Sequence, residues 1–273
     1  MTIPPSRYAA QTVRETLSAL TLSNERQGYV TRHYRRYARL LDYVDAEWTR
    51  RNDAPIKILD VGPDLQTYLL DRYFPNASVD TLGYDDPTVR KELSGWHTHL
   101  DLNRCPDKRQ WPKWPKSYDV VVMAEVIEHL SVPPVWPMMM LFTALSPGGA
   151  LIVQTPNFAA LIKRLQVMRG TNPFPIPTGL NPSPDHCREY TRSELFAMGT
   201  EAGFNVEGIE GANYFSGDRF THRLAAGIGS MLPQTFRNGL TALMRRPDEY
   251  SPIPAVKADA TAAGPAKFRL SEA

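Results

Sequence analysis

Hydrophobic positions along this chain change rhythm several times, and each change marks a predicted element. Residues 118–123 (YDVVVM) hold an apolar, β-branched run preceded by an acidic residue, Asp119, which suits a strand buried on both faces of a parallel sheet. Similar short runs stand at 56–61 (IKILDV), 77–84 (ASVDTLGY), 96–100, 150–154 and 204–210, with a last one near 239–244. Between them the spacing lengthens to three and four residues. Leu65, Leu69, Leu70, Tyr73 and Phe74 predict a helix over 65–74, and further helices are expected at 133–145, 158–168, 193–202 and 218–231, with a weak one near 88–93. Thr191-Arg192-Ser193-Glu194 has the form of a capping box, and Gly203 stands where a left-handed cap would end that helix. Ser146-Pro147-Gly148-Gly149 reads as a tight turn into the strand at 150–154. Strand alternating with helix over short connections predicts an α/β fold with a doubly wound, Rossmann-like parallel sheet.

The flanks differ. Residues 1–55 read as an N-terminal helical segment. Within 26–48, Tyr29, Val30, Tyr34, Tyr37, Leu40, Leu41, Val44 and Trp48 make an apolar stripe, with Arg26, Arg32, Arg35, Arg36 and Arg39 on the other face. This predicts a solvated basic face over a buried aromatic stripe; the alternative reading has His33, Arg36 and Tyr37 reaching a bound ligand from this helix. The main domain is expected over 56–246, and 155–190 holds a proline-crowded stretch that reads as a lid. From 247 to 273 the chain is rich in Pro, Ala and charge and is expected to be disordered.

Composition narrows the classes. With 273 residues, 42% hydrophobic and 22% charged, the chain is ordinary for a soluble protein with one sizeable core. A formal net charge of +2 gives no global pull toward nucleic acid or membrane. No apolar run approaches the roughly 20 residues of a membrane span, and no basic-then-apolar leader is present. Cys105 and Cys187 make no disulfide framework, so both are expected as reduced thiols in a cytoplasmic protein. Trp111 and Trp114, in a Trp/Pro/Lys-rich loop, could stack on a base or sugar, but an exposed loop is the expectation.

Candidate chemistry gathers at the strand ends. Asp60 and Gly62 close the first strand, Asp85 the second and Asp101 the third, and Glu125 follows the fourth. In a doubly wound sheet these ends lie side by side. Carboxylates there suit hydroxyls, an amino group and positive charge better than phosphate, which would call for a Gly-rich loop with Lys.

In order and spacing, ILDVGPD, LGYDD, LDLN, YDVVVMAEVIEHL and LSPGGALIVQTPN, followed by HCREYTRSEL and EAGF, resemble the class I S-adenosylmethionine-dependent methyltransferases over about residues 56–210. The resemblance implies a seven-stranded sheet whose last strand is antiparallel, with S-adenosylmethionine as cofactor. It places Asp60 and Gly62 at the methionine moiety, Asp85 at the ribose, Asp101 and Leu102 beside the adenine, and Glu125 near the methyl donor. Asp64 and Gln66 depart from the pattern, standing where the family usually carries further glycines.

Glu125, Glu128 and His129 are spaced i, i+3, i+4, so a helical turn would bring them to one face. Two carboxylates and an imidazole can hold a divalent cation such as Mg²⁺ or Mn²⁺. Glu-x-x-Glu-His resembles the metal site of RNA 3′-end 2′-O-methyltransferases and of ubiquinone-pathway O-methyltransferases, and in the RNA enzymes a downstream His joins it. His186 stands in that place. Without metal, His129 or His186 is the general base, with Glu128 beside it. The Pro-rich stretch and HCREYTRSEL also resemble bacterial glycan-pathway methyltransferases. The expected acceptor is therefore a hydroxyl on a sugar, glycan precursor or other small metabolite. Two alternatives stay open: an RNA 3′-end 2′-hydroxyl, and a non-catalytic partner protein of the same fold. The acceptor's identity and the oligomeric state are not legible.

Overall fold

The computed structural model describes residues 4–84, 95–174, 186–215, 231 and 233–249. Asp85, the helix expected near 88–93, residues 175–185 of the proline-rich stretch, all but the last residue of the helix expected at 218–231, and the tail from 250 lie outside the described residues.

Seven strands form one sheet in the order β3-β2-β1-β4-β5-β7-β6. They are β1 (Lys57–Val61), β2 (Ser78–Gly83), β3 (His97–His99), β4 (Tyr118–Ala124), β5 (Leu145–Pro156), β6 (Asn205–Ala212) and β7 (Gly239–Arg245). The first five pair in parallel, and β7 runs antiparallel between β5 and β6. The chain winds outward from β1 in one direction through β2 and β3, and from β4 in the other. Such a reversal is where doubly wound sheets open a crevice, here at the carboxyl ends of β1 and β4. All seven residues of β4 are buried, as its continuous apolar pattern predicts.

Helices cover both faces: α1 (Ala10–Ser18), α2 (Asn24–Arg50), α3 (Leu65–Tyr73), α4 (Val135–Ala144), α5 (Leu161–Met168) and α6 (Arg192–Glu201). One core packs α4 and α6 residues such as Met138, Leu141 and Leu195 against Val121, Met123 and Val153. The other packs Val30, Tyr37, Leu41 and Val44 of α2 against Ile58, Val120, Val122 and Ile152. The N-terminal segment thus shares a core with the sheet.

Several details differ from the sequence reading. The Ser146–Gly149 turn lies inside β5: Leu145 pairs with Tyr118 and Ala150 with Val120, so the intervening residues bulge out, with Gly148 at φ 67°. α5 begins at Leu161 because Asn157 Oδ1 accepts from Ala159 N at 2.9 Å and Phe158 N donates to Tyr190 O at 3.1 Å, which holds 157–160 in a turn. Pro137 is the third residue of α4, where its missing N–H would have no partner anyway. The capping box forms at α6, Thr191 N donating to Glu194 Oε2 at 2.8 Å and Glu194 N to Thr191 Oγ1 at 3.4 Å. Trp111 and Trp114 are not free to stack on a ligand. Both are partly buried on the core, and their indole N–H groups donate to Cys105 O at 2.8 Å and Thr143 Oγ1 at 2.9 Å.

Candidate active site at the end of β4

The chain turns sharply as it leaves β4. Glu125 sits at φ 57°, a left-handed conformation that non-glycine residues adopt reluctantly, and its N–H donates to Gln154 O at 2.8 Å. A 3₁₀ turn, Ile127–His129, follows. Glu125, Glu128 and His129 therefore do not share a single helical turn, contrary to the expectation from their spacing. Glu128 is fully buried and accepts from Thr155 Oγ1 at 3.0 Å, whereas His129 is exposed at the mouth.

Residues 186–190 close over this turn. Cys187 N and Arg188 N both donate to Glu128 O, at 2.7 and 3.2 Å, and the His186 ring stands edge-on to His129 with centroids 5.0 Å apart. One ligand atom each from Glu128, His129 and His186 lie within 4.8 Å of one another. Glu125, the fourth expected member, is not in that group. Burial, reinforced by Glu125's charge, holds the Glu128 carboxyl well above its ordinary range, while burial raises Glu125 against the pull of Arg36 and Lys163.

Two side chains here were not singled out in the sequence. Lys163, on α5, forms an ion pair with the buried Glu189, whose other oxygen lies 3.0 Å from His186 Nδ1. Burial pushes the Lys163 ammonium down to about 8, against the attraction of Glu125 and Glu128. The only local clues were a lysine within the amphipathic run LIKRL and an acid three residues after His186.

The other wall comes from α2, and it corrects the picture of a solvated basic face in part: Arg32 and Arg35 are exposed, but Arg36 is not. Arg36 is 1% exposed, with Nε and Nη1 lacking hydrogen-bond partners among the described residues. Burial opposes its charge, yet Tyr37, Tyr29, Glu125 and Asp64 around it raise its pKa above the ordinary value. Tyr37 lies under the guanidinium, 4.4 Å from ring centroid to Cζ. His33 stacks on Tyr29 at 3.8 Å, and burial together with Arg36 and Arg32 pushes its imidazole down to about 3. Arg26, Tyr29, His33, Arg36 and Tyr37 thus form one stripe facing the sheet ends.

At β1, Gly62 has φ 74°, and a Cβ there would meet Val126 Cγ2 at 2.8 Å, so the loops after β1 and β4 touch. The carboxylate of Asp64 turns to α2, accepting from Arg26 Nη2 at 2.7 Å and Tyr37 OH at 3.4 Å. Gln66 folds back on its own loop, its Nε2 donating to Gly62 O at 2.8 Å. The two residues that replace family glycines are therefore absorbed into the loop. Asp60 lies wholly buried beneath it. Thr67 Oγ1 donates to Asp60 Oδ2 at 2.5 Å, Oδ1 has no partner among the described residues, and burial pushes the carboxyl up to about 8. Asp101 caps the turn Leu102–Arg104, accepting from Asn103 N at 3.0 Å, and Leu102 is buried beside it. The turn they belong to follows β3 and is tied to the loop after β4, Ser131 N and Oγ donating to Asn103 Oδ1 at 2.8 and 2.9 Å.

A family model described as a methyltransferase domain matches residues 31–208. Comparison with curated proteins returns no match. Similar solved structures include an S-adenosylmethionine-dependent methyltransferase from Methanosarcina mazei, at 13% identity over 71% of this chain and 93% of that one, with TM-score 0.47. Another from Archaeoglobus fulgidus is 14% identical over 75% of this chain and 93% of its own, with TM-score 0.46. A third, from Mesorhizobium loti, is 14% identical over 74% and 98%, with TM-score 0.46. Among the described residues no helix is long and apolar enough to cross a membrane.

Proposed function

Since the chain belongs to the S-adenosylmethionine-dependent methyltransferases, whose domain model spans residues 31–208, we propose that it methylates a hydroxyl on a sugar, glycan precursor or other small metabolite. The observation that carries this reading is the convergence of Glu128, His129 and His186 beside a crevice walled by Arg36 and Glu125.

The residues present fit the cofactor's polar ends. Arg36 Nε and Nη1, without partners among the described residues, suit a carboxylate, and Glu125 Oε1, shut off from solvent and likewise without a partner there, suits an ammonium group. Asp85 is assigned to the ribose diol, Asp101 and Leu102 to the adenine, and Asp60 with Gly62 to the shape of the loop at the methionine moiety. When bound, S-adenosylmethionine supplies a methyl group on a positively charged sulfur. The chain's own task is to orient the acceptor and take its proton. His129 at the mouth, with His186 beside it, can receive a hydroxyl proton as a neutral imidazole. Much of the remaining acceleration comes from holding acceptor and donor in line.

A divalent cation is a second reading, favoured by the three ligand atoms within 4.8 Å. Glu128, His129 and His186 would hold it, and Mg²⁺ or Mn²⁺ there would lower the pKa of the acceptor hydroxyl. An RNA acceptor is less well supported. It needs cations free to meet phosphates, yet Arg26 is paired with Asp64, Arg39 with Asp42 and Glu210, and Arg36 is buried, so three of the five arginines between residues 26 and 39 are already engaged or buried. Methyl transfer from labelled cofactor to neutral sugars and to RNA ends, across a salt series, separates the acceptors. Salt-independent turnover on a non-ionic sugar supports the proposal; transfer to RNA alone, falling steeply with salt, overturns it.

A further inference from the structure

His186 has two ring nitrogens, and its usefulness depends on which one carries the proton. Its Nδ1 lies 3.0 Å from Glu189 Oε1, and the other Glu189 oxygen is ion-paired with Lys163. A carboxylate engaged by an ammonium has only lone pairs to offer, so the ring must donate from Nδ1. The arrangement is also tied to the sheet. Tyr190, next to Glu189, bridges in parallel to Asn157 at the end of β5, and Phe158 N donates to Tyr190 O at 3.1 Å just ahead of the helix carrying Lys163. Side-chain exposures of 18% for Lys163 and 6% for Glu189 keep competing water largely away. Neither residue belongs to the Glu128, His129 and His186 group.

We propose that Lys163 and Glu189 are positioning residues that fix His186 as the Nδ1–H tautomer, leaving Nε2 as its basic nitrogen. This rests on the reading of His186 as an acceptor-side group. A carboxylate behind an imidazole orients the ring and raises its basicity, whether Nε2 meets a proton or a cation.

Nitrogen-15 NMR of the full chain tests this without an acceptor. Histidine-labelled protein at about pH 7.5, above the ordinary imidazole range, gives the two ring shifts of His186, identified by their loss in His186→Gln. The expected spectrum is a proton-bearing Nδ1 and a bare Nε2. Glu189→Gln and Lys163→Met should each move both shifts toward the average of the two tautomers, while Lys163→Arg restores the wild-type pattern. An Nε2–H tautomer in the wild type, or unchanged shifts in Glu189→Gln, overturns the proposal. Calorimetry with S-adenosylhomocysteine on the same samples keeps the two claims apart: failure to bind removes the methyltransferase reading of the site and leaves the tautomer result standing.

Discussion

Arg36 and Glu125 carry opposite charges that feel one another across the crevice, yet each keeps a polar atom shut off from water without a hydrogen-bond partner among the described residues. A protein does not gain stability from such an arrangement. An unmatched buried donor or acceptor costs about 1–3 kcal/mol, more when charged. The cost is recovered if a ligand brings the complementary charges, as the amino and carboxylate groups of an amino-acid moiety would.

Arg36→Met therefore separates stability from binding. Removing an incompletely satisfied buried cation should leave the thermal midpoint unchanged or raise it by a few degrees, while affinity for S-adenosylhomocysteine falls tenfold or more, about 1.4 kcal/mol. Differential scanning calorimetry and isothermal titration on the same preparation check both halves. A lower midpoint with unchanged affinity would make Arg36 a structural residue.

Asp60 gives a prediction in pH. Its folded-state pKa is about 8, raised from an ordinary carboxyl value of 3.8 by burial. Between those values the folded chain holds a proton that the unfolded chain has released, so this group's stabilisation is complete below 3.8 and is lost as pH rises through about 8. Asp60→Asn mimics the neutral acid and should flatten that decline. Denaturant unfolding from pH 5 to 9 compares the slopes, and parallel curves would mean that Asp60 is ionised in the fold.

Asp85→Ala should weaken S-adenosylhomocysteine binding by more than tenfold through loss of a carboxylate that accepts from two ribose hydroxyls. Equal affinities by calorimetry would remove the ribose assignment, which rests on the motif LGYDD.

The base and cation readings diverge under chelation. If a metal activates the acceptor, His129→Ala and chelator treatment abolish turnover together, and added Mn²⁺ or Mg²⁺ restores the chelated enzyme. Full turnover in chelator with loss in His129→Ala leaves the imidazole as the proton acceptor.

What the sequence conveyed, and what it hid, follows from the physics at each position. β4 was legible because the consecutive apolar residues Val120, Val121, Val122 and Met123 have few alternatives to a doubly buried strand. The positions of Asp60, Asp101 and Glu125 at strand ends were legible from the strand pattern. The left-handed Glu125 was not, since a strained backbone carried by glutamate leaves no mark in periodicity, and an i, i+3, i+4 spacing then reads falsely as helix. Arg36 was misread for a related reason. A helical wheel assigns arginine to the solvent side, but α2 passes over the polar end of the sheet, where an inward guanidinium finds Tyr37 and nearby carboxylates. Lys163 and Glu189 lie 26 residues apart and meet only because β5 and residues 186–190 are stitched together at Asn157 and Tyr190.

Calorimetric titration of the wild-type chain with S-adenosylhomocysteine decides whether the ends of β1 and β4 hold the cofactor. Saturable one-to-one binding, weakened tenfold or more by Arg36→Met, is the expected result. No heat of binding to the wild type at millimolar ligand would contradict it and leave a methyltransferase fold that serves as a partner protein.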